Sequence, residues 1–355
     1  MKTLVKITLL LLFVPSVVLA NNLKGKYTKT KTINKEFTVN ADALVSLSNK
    51  YGSIDIKPSN QNKVTLEIII TTSSNSESKA VDRLNSISVN ISGSNSSVSA
   101  QTKFEKKSNW NLFGNNNSSS MDIKYIVKMP VSNKLDVSMD YGNVMIEKLE
   151  GRANINIDYG KLIAGELLSN NTDINLDYSR GSSVETMGDG TINIDYSSID
   201  IQNAGNIDLN TDYSDTSFEN VGDLIYNTDY GSIKAQNANS ISGDSDYASL
   251  KFGKIAKSLE VSADYGSLKV EEMGQNFSKI VIDTDYIGIK IGVDANASFS
   301  YNISSKYGGI SLPDNVTNTR EIIKNTSKQY EGSYNGTKGN VSITTSYGSV
   351  KIYKN

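Results

Sequence analysis

Apolar and polar residues alternate along most of this chain, and the alternation is organised around a recurring phrase, Asp-Tyr-Gly or a close variant. The tyrosine of the phrase stands at Tyr51, Tyr141, Tyr159, Tyr178, Tyr196, Tyr213, Tyr230, Tyr247, Tyr265, Tyr286, Tyr307 and Tyr347. From Tyr141 to Tyr307 the steps between copies are 17 to 21 residues. A period of this size indicates one supersecondary unit stacked on itself.

Strand periodicity flanks each tyrosine. Apolar residues stand two and four positions before it, as in Ile155 and Ile157, and three and five positions after it, as in Ile199 and Ile201. A period of two is typical of β-strands, and the Gly or Ser after the tyrosine indicates a corner. The pattern predicts an all-β fold, a single-stranded parallel β-helix (β-solenoid) of 17–21 residues per coil. The chirality of parallel crossovers favours the right-handed form.

The periodicity divides the chain into four expected segments. Residues 1–20 read as a signal peptide and 21–130 as an N-terminal coil with a capping insertion. Residues 131–312 read as regular repeats, and 313–355 as an insertion followed by a closing coil. The first coil, around Tyr51, is expected over 27–57. Open strand edges invite aggregation, so we expect the irregular regions to protect the ends of the stack.

The N-terminal insertion has its own pattern. It predicts strands at 64–72, 88–92, 98–102 and 122–129. A short helix is predicted over 76–87, with Ser76 as N-cap and Val81, Leu84 and Ile87 on its apolar face. Residues 105–120 read as a loop. Its aromatic residues Trp110 and Phe113 are expected to anchor it to the core rather than to form a contact point.

Export is expected from the N-terminus. Lys2 and Lys6, an apolar core and the small-residue sequence ending at Ala20 form a secretory signal, too short to span a bilayer comfortably. No other segment is apolar enough to cross a membrane. Removal of the signal peptide leaves 34 basic against 38 acidic residues, and this slight negative charge argues against nucleic acid as a partner. The expected location is the periplasm, the cell surface or the medium.

Three segments carry a family resemblance: Leu47–Ile54, Tyr125–Pro130 and Leu135–Ile146. The last of them contains the phrase Met-Asp-Tyr-Gly-Asn-Val. They resemble the bacterial putative adhesin family, which is related to the putative auto-transporter adhesin head GIN domain. The resemblance extends over nearly all of the chain after the signal. It implies an exported β-solenoid with adhesion or surface binding, and its motifs are structural, so no catalytic residue carries over.

The composition restricts the chemistry, because the chain contains no His and no Cys. Histidine- and cysteine-based catalysis and ordinary zinc sites are therefore excluded. Carboxylates remain, and a β-helical enzyme that cuts acidic polysaccharides is the enzymatic alternative. A catalytic pair should be a local exception, whereas here the same Asp recurs in every coil. We therefore expect no enzymatic activity.

An aspartate column precedes the tyrosines in nine successive coils. Its regular members include Asp158, Asp177, Asp195, Asp212, Asp229 and Asp246. The favoured interpretation is structural: each Asp would accept the backbone N–H two residues on and fix the corner as an Asx-turn. The alternative is that the aspartates, with a neighbouring Asn column, form an oxygen-rich strip for Ca²⁺. No other cofactor is expected.

Tyrosines and lysines form two further columns. The tyrosines share the phase of the inward apolar residues, which favours an interior aromatic stack. If the corner turned them outward, they would form a flat strip suited to sugar rings. Four positions after the tyrosine stand Lys234, Lys251, Lys269 and Lys290. A lysine row is most often a solvated face, but this one is our candidate site for an anionic polysaccharide.

The predicted function is binding of a cell-surface or extracellular ligand, a glycan or a protein, through repeated polar ladders of an exported, non-enzymatic β-solenoid. Two alternatives stay open. One is a polysaccharide-active enzyme of the β-helix type, and the other is a structural envelope protein without a specific ligand.

Overall fold

The fold is almost entirely β, as the alternation predicts, in a computed structural model that describes residues 25–105 and 119–355. The described residues form one short helix, α1 (Glu77–Asn85), and 21 strands in one hydrogen-bonded sheet. The strands are β1 (Tyr27–Thr38), β2 (Leu44–Ser59), β3 (Lys63–Ser74), β4 (Ile87–Gly93), β5 (Ser97–Phe104), β6 (Ser120–Pro130), β7 (Lys134–Leu149), β8 (Ala153–Asp158), β9 (Lys161–Leu167), β10 (Thr172–Asp177), β11 (Ser182–Met187), β12 (Gly190–Asp195), β13 (Ser198–Ala204), β14 (Ile207–Met273), β15 (Lys279–Val293), β16 (Phe299–Lys306), β17 (Ile310–Ser311), β18 (Val316–Ile323), β19 (Ser327–Tyr334), β20 (Gly339–Ser346) and β21 (Val350–Lys354).

Successive repeats pair in parallel and in register, where a repeat is the strand segment before a tyrosine and the segment after it. Before the tyrosine, β8, β10, β12 and the start of β14 pair in this order and align Asp158, Asp177, Asp195 and Asp212. After the tyrosine, β9, β11, β13 and β14 pair in the same order. One sequence phrase therefore occupies one structural position in every layer.

Inward apolar side chains of both segments form one contiguous core along the stack. In one repeat Ile155 and Ile157 come from β8, and Leu162, Ala164 and Leu167 come from β9; none is more than 3% exposed. Burial of an aliphatic side chain contributes roughly 1.5–3 kcal/mol. Each repeat thus supplies its own part of a thin linear core.

The tyrosine corner has a left-handed backbone. All twelve tyrosines of the phrase have φ between 49° and 63°, a region that bulky residues seldom occupy. The residue after the tyrosine lies close to the next layer: a Cβ on Gly160 would be 1.7 Å from the Gly142 carbonyl oxygen. This contact accounts for Gly at this corner, whereas other layers carry a side chain at the same position, as Ser179, Ala248 and Ile287 do.

Polar side chains also bond along the stack. The Nδ2 atom of Asn175 donates to Oδ1 of Asn156, and Asn193 donates to Asn175 in the same way, at 2.9 and 2.8 Å. Where Ser replaces Gly after the tyrosine, its hydroxyl is buried. Ser197 Oγ accepts the backbone N–H of Ser179 at 2.9 Å, and Ser214 Oγ accepts that of Ser197. Such ladders fix the register between layers.

At the N-terminal end the chain returns over its own first layer. Strand β2 pairs in parallel with β7 on one side and with β5 and β6 on the other. β3 then covers β6, and β4 covers β5, both antiparallel. The prediction that 27–57 forms the first coil is wrong in its first part, because β1 pairs antiparallel with β3 and belongs to this cover.

Helix α1 agrees with the prediction in place but only in part in its buried face, where Leu84 packs against the core as expected. Ser76 is the N-cap residue, but its side chain makes no capping hydrogen bond. The helix buries Ala80 and Arg83, whereas Val81 is exposed and Ile87 begins β4. Arg83 lies over the ring of Phe104 at 5.9 Å. This distance puts the guanidinium group within cation–π range of the ring.

A buried polar network joins the first layer to its cover. Asn49 Nδ2 donates to the Ile123 carbonyl oxygen at 2.7 Å, and Thr102 Oγ1 donates to Asn49 Oδ1 at 2.8 Å. The Thr102 and Tyr125 hydroxyls are 2.9 Å apart. Burial raises the pKa of Tyr125 to about 12.

Alkaline pH is therefore expected to destabilise the fold through Tyr125. The folded-state pKa lies above the unfolded value of 10.0, so this contribution is intact below pH 10 and is lost as pH rises to 12. Two pKa units correspond to about 3 kcal/mol. Chemical denaturation between pH 9 and 12 should show a steeper loss for the native chain than for Tyr125→Phe. Equal slopes would contradict this assignment.

At the C-terminal end the order of layers departs from the order of the chain. Strands β20 and β21 pair with β15 on one side and with β16 and β17 on the other. The expected closing coil is thus an internal layer, and the repeat of Tyr307 lies outside it. The hairpin of β18 and β19 lies antiparallel on β16 and covers this end.

Two predictions fall outside the described residues: the signal peptide at 1–20, and the loop residues Trp110 and Phe113. Within the described ranges, no helix is long and apolar enough to span a membrane.

Candidate functional site

The tyrosines of the phrase form a continuous exposed stack, here called the tyrosine ladder. Neighbouring ring centroids are 4.7–5.2 Å apart, with interplanar angles of 1–13°. All of them except Tyr51, which is half-buried, are 42–52% exposed. The prediction of an interior aromatic stack is therefore wrong. The left-handed backbone at the corner breaks the strand alternation and turns the side chain outward.

Ring edges, not ring faces, are what the ladder offers to solvent. Each inner ring has a neighbour on both faces, as Tyr196 has in Tyr178 and Tyr213 at 5.0 and 4.9 Å. At one end the ring of Phe104 meets Tyr51 edge to face at 6.1 Å. The expectation of a flat strip for stacking sugar rings consequently does not hold, because a sugar needs a free ring face.

The aspartate column runs beside the ladder. Asp158, Asp177, Asp195, Asp212, Asp229 and Asp246 are all exposed. Burial raises the pKa of the Asp177 carboxyl, and the charges of Asp158 and Asp195 raise it further. At the first layer the column begins differently, because Lys50 forms an ion pair with Asp140. The layer spacing of about 4.8 Å also places like charges next to one another along most of the column.

The predicted Asx-turns are absent at three corners where the structure shows what accepts the backbone N–H two residues after the aspartate. The N–H groups two residues after Asp158, Asp177 and Asp195 donate to serine hydroxyls of the next layer, at 2.9–3.2 Å. The aspartate carboxylates are thus not used to fix these corners. A shallow groove of about 280 Å³ lies between this column and the Asn ladder, lined among others by Asp195 and Asn193.

The structure contains the row of carboxylates that the calcium hypothesis requires, but these carboxylates do not converge on a common point. Among residues 25–105 and 119–355, no three acidic side chains are grouped closely enough to hold a metal ion. Ca²⁺ prefers six to eight oxygen ligands. We expect the melting temperature to be the same in EDTA as in millimolar CaCl₂. A fall of many degrees in EDTA, restored by Ca²⁺ but not by Mg²⁺, would contradict this expectation.

The four predicted lysines lie together on one face, and Lys351 lies beside them. We call these five residues the lysine row. Lys269 pairs in register with Lys290, and Lys290 pairs with Lys351. Lys234, Lys251 and Lys269 line one shallow groove of about 710 Å³. All five side chains are exposed. Lys351 fits the same sequence position after its tyrosine, but only the insertion of β21 beside β15 makes it a neighbour of Lys290.

Few acidic groups neutralise the lysine row. Lys269 Nζ lies 2.5 Å from Glu271 Oε1. In the described part of the chain, no carboxylate lies within ion-pair distance of Lys234, Lys251 or Lys290. Glu219 and Asp200 border the same groove further along. The row is thus a strip of mostly unopposed positive charge on an otherwise mildly acidic chain.

Comparison with known proteins gives structural likeness alone. No protein-family model and no curated protein matches the chain. A putative adhesin from Bacteroides fragilis NCTC 9343 is 14% identical with a TM-score of 0.29, over 74% of this chain and 97% of that one. A putative cell adhesion protein from Clostridium sporogenes ATCC 15579 is 11% identical with a TM-score of 0.18, over 92% and 100%. A putative lipid binding protein from Parabacteroides distasonis ATCC 8503 is 10% identical with a TM-score of 0.25, over 91% and 96%. Similarity at this level transfers no function.

Proposed function

We propose that the chain is an exported, non-enzymatic β-solenoid that binds an anionic glycan at a cell surface or in the extracellular matrix through the lysine row. The solenoid is supported by parallel, in-register pairing of segments 17–21 residues apart. Its handedness and its export remain predictions from the sequence. The proposal describes an adhesin-like protein, in agreement with the family resemblance of the sequence.

One observation carries the ligand class: five lysines occupy the same position in five adjacent layers, and four of them, all except Lys269, have no acidic partner within the described residues. Strands in neighbouring layers lie about 4.8 Å apart, and like charges at that spacing repel. If these charges served only solubility, acidic and basic side chains alternating from layer to layer would avoid the repulsion. A linear polyanion parallel to the stack would relieve the repulsion in every layer.

The absence of enzymatic activity is supported by the chain's own chemistry. It contains no His and no Cys. Its aspartates recur in equivalent environments, whereas a catalytic acid and base need different ones. A carboxylate-based glycosidase would show product release from an acidic polysaccharide, and we expect none.

Binding to the purified chain should be measured with alginate, an acidic polysaccharide, and with neutral dextran as the control. We expect saturable binding to alginate that weakens steeply with salt, because exposed charges are screened. Replacing Lys251, Lys269 and Lys290 by Gln should weaken it about tenfold or more, since charge contacts add along a linear ligand.

A matched variant separates the row from net charge. Lys31, Lys103 and Lys134 are exposed lysines outside the row, and replacing them by Gln changes the net charge equally. Retained alginate binding in this variant, with loss in the other, supports the proposal. Equal loss in both, or no binding by the native chain across a panel of acidic glycans, would refute it.

A further inference from the structure

The tyrosine ladder has no role in the lysine-row proposal, and its chemistry points elsewhere. Tyrosine is a costly residue at a left-handed corner, where Gly or Asn would be accommodated more easily. Stacking contributes roughly 0.5–1.5 kcal/mol per aromatic pair and can offset that cost. Stacking explains why the ring faces are covered by neighbouring rings. It leaves unexplained an exposed strip of ring edges, eleven steps long, beside a column of carboxylates.

Ring edges define the shape of a suitable ligand. The edge of an aromatic ring carries partial positive charge and its face partial negative charge, so an edge contacts a planar π-system favourably. Here neighbouring ring centroids recur every 4.7–5.2 Å along the stack. A planar ligand lying along the stack would therefore contact two or more tyrosine edges at once. A globular or strongly puckered ligand would contact fewer.

The negative charge of the protein around this part of the ladder indicates that the ligand is a cation. Residues 151–230 contain 14 acidic and three basic residues, a net charge of −11, against −2 for the whole chain. The ladder in this segment runs from Tyr159 to Tyr230, with one exposed aspartate before each tyrosine. The lysine row begins only at Lys234, so this half of the ladder is free of its positive charge. A cation would relieve the repulsion among the carboxylates.

We propose that the ladder between Tyr159 and Tyr230, with its adjoining aspartates, binds elongated planar aromatic cations that lie parallel to the stacking axis. The tyrosine edges would supply apolar contact along the plane of the ligand, and the carboxylates alone would attract its positive charge, because a ring edge is itself partly positive. This site is separate from the lysine row in residues, in charge and in ligand class. The failure of either proposal leaves the other intact.

The test uses thioflavin T, a planar aromatic cation, titrated into the purified full chain and followed by fluorescence and by calorimetry. We expect saturable binding that weakens with salt, and little binding of a planar aromatic anion such as pyrene sulfonate. Replacing Tyr178, Tyr196 and Tyr213 by Asn keeps a residue that tolerates the left-handed corner and removes three ring edges. Affinity should fall about tenfold or more.

Two matched variants locate the site. Replacing Tyr265, Tyr286 and Tyr347 by Asn makes the same change in the half of the ladder beside the lysine row, and should leave the affinity within about twofold. Replacing Asp177, Asp195 and Asp212 by Asn keeps the rings and should weaken binding about tenfold and flatten its salt dependence. Folding of each variant is checked by circular dichroism and by its melting temperature.

Three outcomes would overturn the proposal. The first is no saturable binding by the native chain. The second is unchanged affinity in the folded Tyr178, Tyr196 and Tyr213 variant, which would mean that the dye does not bind along these tyrosine edges. The third is equal affinity for the planar cation and the planar anion.

Discussion

Ending the chain after Lys338 should unfold β16 to β19, although only 17 residues are removed. Strands β20 and β21 form an internal layer, between β15 on one side and β16 and β17 on the other. Their loss removes four buried apolar side chains, Val341, Ile343, Val350 and Ile352. At roughly 1.5–3 kcal/mol each, burial alone represents about 6–12 kcal/mol.

Hydrogen exchange is the appropriate measurement, because a stacked fold can open locally. Protection should be lost over β16 to β19 and kept over β8 to β13. A matched pair of point variants provides the control: Ile352→Asp, which buries a charge, should reproduce the loss, and Lys351→Asp, one residue away and exposed, should not. Full protection of β16 in the shortened chain would show that it can stack directly on β15.

Deleting residues 63–129 should make the protein polymerise. The deletion removes β5 and β6, which pair with β2 along Leu44–Ser48 and Gly52–Ser59. It thereby exposes a long parallel strand edge, together with the buried side chains Val45, Leu47, Ile54 and Ile56. An edge of this kind is a template for pairing with another chain. Light scattering should show large particles at a concentration where the intact chain stays small.

A second variant tests whether edge pairing is the cause. An inward-pointing charge blocks edge-to-edge association, so Ile54→Lys within the deletion should reduce the particle size. A soluble monomer from the deletion alone would mean that residues 63–129 do not protect the end of the stack.

Local rules predicted the body of the molecule well. The inward positions two and four before the tyrosine, such as Ile155 and Ile157, are buried as the alternation requires. Because one register is repeated, the positions of Lys269 and Lys290 in adjacent layers followed from counting residues. The strand at 64–72 and the short helix were also found from their own periodicity.

Two features could not be predicted, for different physical reasons. The outward direction of the tyrosines depends on φ at the corner, and a bulky residue gives no sign of a left-handed backbone. The order of layers at the C-terminal end depends on which surfaces are more complementary. Tyr307 and Tyr347 head repeats with the same pattern, so the sequence ranks neither above the other.

The in-register stacking has a consequence for how this molecule can change in length. Every internal repeat presents nearly the same upper and lower surface, so excising the segment 214–230 would bring together Tyr213 and Tyr247, each already preceded by Asp and followed by a small residue. Duplication or loss of whole units would therefore alter the reach of the protein in steps of about 4.8 Å. The two end structures would stay untouched, which makes length a property that selection can tune independently of folding.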